Sequence, residues 1–157
     1  MKAATVHEIK QELNSLKPGE LTELCLRLAR FKKENKELLT YLLFEAHDEE
    51  SFIAGVKKEI DTGFAEINLS QLYFAKKSLR KIVRMINKFS RYSSQKETEL
   101  QLRLHFCQAL KDSGIPIKRN AVINNLYFSQ LKKINNTLSS LHEDLQYDYR
   151  QEIDTLA

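Results

Sequence analysis

An all-α fold follows from three features of the chain. Glycine and proline are sparse, four and two in 157 residues, too few for the frequent turns of a β-fold. Apolar residues recur at helical spacing through most of the sequence. Start and stop signals for helices divide that pattern into segments. Together these predict about seven helices in one domain, 1–157, built as a compact helical bundle or a short α-α superhelical stack. Within it, 1–66 and 67–157 are the expected sub-lobes. A chain this long buries roughly 70% of its unfolded surface and needs no metal or disulfide to fold.

The first helix opens at Thr5 and Glu8, spaced as a capping box in which Thr5 accepts from the third helical amide and Glu8 reaches back. Val6, Ile9, Leu13 and Leu16 follow at helical spacing. Pro18 suits the first turn of a second helix, where its missing N–H is not needed. Leu21, Leu24, Cys25, Leu28 and Phe31 form that helix's apolar face. The polar stretch 31–36 predicts a turn, and 36–46 a third helix. Leu38, Leu39, Tyr41, Leu42, Leu43 and Phe44 nearly encircle this third axis, so it is expected to be the buried central element.

Asp48, Glu49 and Glu50 form an acidic start for a fourth helix carrying Phe52, Ile53, Val56, Ile60, Phe64 and Ile67, with Gly63 expected to end it. A fifth helix is expected over 70–89. Ser94 and Glu97 form a second capping box for a sixth helix reaching to about Ser113. There Leu100, Leu102, Leu104 and Phe106 alternate with polar residues, as in a strand. Helix is still expected, because Cys107, Ala109 and Leu110 extend the apolar run and Gly114 with Pro116 is a helix stop. One long helix is expected over 119–155, with an apolar stripe through Ile123, Tyr127, Leu131, Ile134, Leu138, Leu141 and Leu145. That stripe is expected to pack inside a monomer; the C-terminal helix is the surface through which a homodimer would form.

Little catalytic chemistry is written in the sequence. The glycines are too far apart for a G-x-G-x-x-G turn, and none begins a P-loop. Three residues before His7, His47, His105 and His142 stand Ala4, Phe44, Leu102 and Ser139, so Glu-x-x-His metal motifs are absent. Cys25 and Cys107 form no C-x-x-C and are expected to be small core residues. His105 and Cys107, two apart, point about 200° away from each other on a helix. No catalytic residue, cofactor or metal site is expected, and the chain is read as non-enzymatic. The longest near-apolar run, 38–44, is far short of the ~20 residues that span a bilayer. The first ten residues lack the apolar core of a signal peptide. A cytoplasmic protein without membrane contact is expected.

Charge is the one strongly uneven property. Residues 1–66 carry net −3, 97–157 carry net −1, and 67–96 carry +8 with no acid at all. On a helix advancing 100° per residue, Lys77, Arg80, Lys81, Arg84, Lys88 and Arg91 fall within an arc of about 100°, with Lys76 at its flank. Leu79, Ile82, Ile86 and Phe89 lie opposite. The expectation is a helical interaction module whose basic face, residues 76–91, recognises an acidic protein surface. Direct nucleic-acid binding through the same face is the alternative, with Tyr73, Phe74 and Tyr92 placed to stack on bases. The competing expectation is a solvated face neutralised by Glu97, Glu99 or the acids of 45–50.

Overall fold

The computed structural model describes residues 1–156. It is all-α, with eight α-helices and no strand among the described residues: α1 (Val6–Ser15), α2 (Pro18–Phe31), α3 (Lys33–Thr40), α4 (Glu49–Ala65), α5 (Leu72–Ser93), α6 (Lys96–Asp112), α7 (Ala121–Leu138) and α8 (Glu143–Leu156). A π-helical turn (Tyr41–Glu45) follows α3, and a 3-10 turn (Ile117–Arg119) precedes α7. The chain divides into two compact units, Met1–Phe44 and Glu45–Ala157.

In the first unit, the starts of α1 and α2 are fixed by side chains. The Thr5 hydroxyl accepts from the Glu8 amide at 3.3 Å while the Thr5 amide donates to Glu8 Oε2 at 2.7 Å, the reciprocal pair that the spacing predicts. The Lys17 amide donates to Glu20 Oε2 at 2.7 Å above Pro18. The turn expected over 31–36 shrinks to the single extended residue Lys32. Asn35 Nδ2 donates to the Leu28 carbonyl at 2.9 Å and ties α3 back to the end of α2. That side-chain bond to an orphan carbonyl lets the chain reverse without a polar loop.

The apolar segment after α3 corrects the sequence reading. It is not the buried core: Leu42, Leu43 and Phe44 are 55%, 63% and 67% exposed, and Tyr41 alone in this unit is buried. An apolar circumference shows that a helix would profit from burial on every side, but it does not supply the neighbours. Cys25 is likewise exposed rather than in a core.

In the second unit the central element is α6. Leu100, Leu102, Leu104, Phe106, Cys107 and Leu110 are essentially inaccessible, and α4, α5, α7 and α8 all pack on this helix. Burial on nearly all sides explains the strand-like alternation: where every face is covered, apolar side chains need not keep a 3.6-residue stripe. Its start differs from the expected capping box. Ser94 closes α5 in the left-handed conformation, φ 58°, and Gln95 precedes α6 without a side-chain cap. Gly114, φ 73°, ends the region after α6 as its sequence predicts.

Gly63 does not end α4. It lies where α4 meets α5, and a Cβ there would come within 3.0 Å of Ile82 Cγ1, so its missing side chain permits close helix approach. The long helix expected over 119–155 is two. Asn120 caps α7, accepting from the Val122 and Ile123 amides, and the chain turns after Leu138 before α8 begins. Ile123, Tyr127, Ile134 and Leu138 are buried within this unit, so the first part of the stripe is core. Hydrogen bonds with α6 and α7 hold α8, among them Tyr127 Oη to the Leu156 carbonyl at 2.6 Å, Lys111 Nζ to the Thr155 carbonyl at 2.7 Å, and Tyr149 Oη to Glu97 at 2.8 Å.

Candidate anion-binding face

The basic stripe owes its direction to the opposite side of α5. Ala75, Leu79, Ile82, Val83 and Ile86 are buried against the rest of the second unit. Fully burying a large aliphatic side chain contributes about 1.5–3 kcal/mol. Like charges four apart on a helix cost a few tenths of a kcal/mol per pair, and the sequence makes four of them: 76/80, 77/81, 80/84 and 84/88. Burial therefore wins by a wide margin, and the cations are carried outward. Lys77, Arg80, Lys81, Arg84 and Arg91 are exposed, and Lys76 and Lys88 are half-buried. Because α5 runs on to Ser93, past the expected end at 89, Arg91 stays in helical register with the others.

Several of the acids near this stripe hold contacts of their own. Glu99 binds Arg103, at 2.8 Å to Nε and 2.6 Å to Nη2. Glu97 accepts from Tyr149, and Glu49 accepts from Thr98 at 2.5 Å and from Ser93. Asp48 caps α4 through the Ser51 amide and hydroxyl, which holds its carboxyl below the usual range. Among the described residues, Lys76, Lys77, Arg80, Lys81, Arg84 and Arg91 make no ion pair within 4.0 Å. Lys88 lies 4.8 Å over the Phe89 ring.

A groove runs along each side of the stripe, and the two differ in charge. On the α4 side, a depression of about 630 Å³ brings Glu59 and Glu66 together with Lys81, Arg84 and Lys88. On the α7 side, a depression of about 550 Å³ is lined by Tyr73, Lys76, Lys77, Arg80, Val83, Arg84 and Leu126. Among the described residues, no acid lines the second groove. Tyr73 is 71% exposed at its rim, and its ring meets Phe74 edge-on with centroids 5.5 Å apart. Of the three aromatics singled out for stacking, Tyr92 is buried, while Tyr73 and Phe74 are exposed. The contribution of α7 was invisible in the sequence, because Leu126 reaches this groove only through tertiary packing.

The other chemically versatile side chains are dispersed. His105 Nε2 lies 2.6 Å from Asp61, and His142 Nδ1 lies 3.3 Å from Asp144. Among the described residues, no three His, Cys, Asp or Glu side chains gather as a metal-holding group. Burial pushes the Cys107 thiol up to about 12. No described helix is long and apolar enough to cross a membrane. The sequence matches no family model, no characterised protein and no solved structure.

Proposed function

We propose that this protein is a non-enzymatic helical interaction module that recognises an acidic partner through the exposed face of α5. One observation supports the reading: of the seven cations on this helix face, Lys76, Lys77, Arg80, Lys81, Arg84 and Arg91 make no ion pair within 4.0 Å among the described residues. A helix with a glutamate at any of these positions would relieve its own repulsion. α5 carries no such glutamate, and we read an external anion as supplying relief beyond that of Glu59 and Glu66 across the α4-side groove. The face so read comprises Lys77, Arg80, Lys81, Arg84, Lys88 and Arg91, with Lys76 at the flank. Such a face raises the encounter rate with acidic surfaces and loses that advantage as salt rises. We read the chain as a cytoplasmic monomer that uses no cofactor in this task.

Chromatography on immobilised heparin, a polyanion neutral as to partner class, tests the reading. The protein is expected to be retained at low salt. The double variant Arg80→Glu, Arg84→Glu should elute at markedly lower salt with its far-UV circular dichroism unchanged, since both side chains are solvent-facing. Equal elution of the two proteins would overturn the proposal.

A further inference from the structure

We infer that the partner is a single-stranded nucleic acid, and that its phosphates and one unpaired base occupy the groove between α5 and α7. The inference rests on the anion-binding role of α5 and goes further by choosing among acidic partners. The α4-side groove mixes glutamates with cations, so a phosphate chain entering it would meet Glu59 and Glu66. The α7-side groove presents Lys76, Lys77, Arg80 and Arg84 with no opposing carboxylate. From Lys77 to Arg84 the helix rises about 10 Å, enough for a few consecutive phosphates.

Tyr73 separates phosphate chains from carboxylate surfaces. Its ring lines the same groove as the four cations and is 71% exposed. The edge contact with Phe74 restrains the ring, and Val83 and Leu126 give the groove an apolar wall. Cations that track a backbone beside an exposed aromatic face are the combination that binds unpaired strands, because every base has a π-face to stack. A plain polycarboxylate chain satisfies the cations but offers no π-face to the ring. A duplex satisfies the phosphate sites but keeps its bases stacked on one another, away from Tyr73.

Fluorescence anisotropy of a labelled short oligouridine, with the same strand in duplex form and poly-glutamate as competitors, tests this. Four phosphate contacts predict a log–log salt slope of about −3 for a single strand. Tyr73→Ala should weaken oligouridine binding at least about fivefold while leaving that slope unchanged. Lys77→Ala with Arg80→Ala should flatten the slope by about 1.4. The tyrosine variant's thermal unfolding should match the parent, because this side chain is mostly in solvent. If poly-glutamate or duplex competes as well as oligouridine and Tyr73→Ala changes nothing, the nucleic-acid inference falls while the anion-binding face stands. If neither oligouridine nor heparin binds at low salt, both fall.

Discussion

Arg103 shows how a single charged residue is accommodated in this core. It is 2% exposed, and four of its five guanidinium N–H donors are engaged: Glu99 takes Nε and Nη2, Gln130 takes Nη1 at 2.5 Å, and Asn87 takes Nη2 at 2.8 Å. Those partners come from α5, α6 and α7, so one side chain links the helix bearing the basic face to the centre of the bundle. An unpaired buried charge would cost several kcal/mol, and the Glu99 carboxylate removes that cost. The two cysteines give a residue-scale test. Cys107 is inaccessible, with its thiol pushed up to about 12, whereas Cys25 is exposed. Only the thiolate reacts. A thiol-reactive disulfide reagent should therefore modify one cysteine in the native protein, Cys25 by peptide mapping, and both after denaturation. Rapid native labelling of Cys107 would contradict the buried position of α6.

At the scale of elements, the sequence and the structure part company where burial depends on neighbours. The capping box at Thr5 and Glu8, the proline start of α2 and the glycine stop at Gly114 were legible, because each is settled within a few residues. The central helix was not. Leu42, Leu43 and Phe44 resemble core residues by pattern but face solvent, while α6, with its ambiguous alternation, is enclosed by four helices. A local period cannot report which helix is surrounded. Mutational cost separates the two elements. Leu104→Ala should destabilise the protein by about 2–5 kcal/mol, the usual range for a buried leucine. Phe44→Ser should stay within about 0.5 kcal/mol, as surface substitutions do. Chemical denaturation measures both, and a large loss in Phe44→Ser would contradict its exposure. The split between α7 and α8 was missed for the same kind of reason. The heptad-like rhythm continues across a turn that Ser139 and Ser140 form locally, with their hydroxyls donating to the Asn136 and Thr137 carbonyls.

For the whole molecule, the uneven distribution of charge is the property from which function is argued. The sequence located the acid-free window, and helical geometry placed its cations on one arc. It could not show whether Glu97, Glu99 and Glu49 would fold against them. Glu99 pairs with Arg103, Glu97 accepts from Tyr149, and Glu49 accepts from the hydroxyls of Ser93 and Thr98, contacts that only the folded chain brings together. Nor could it show that α7 would complete a groove beside Tyr73. The central claim, that the exposed face of α5 is an anion-binding surface, is tested most directly by amide chemical-shift mapping during titration with inorganic polyphosphate. The account predicts saturable shifts concentrated over residues 73–91, diminishing as salt is added. Shifts scattered evenly over basic residues elsewhere, such as Lys118, Arg119 and Lys132, with α5 unmoved, would contradict it.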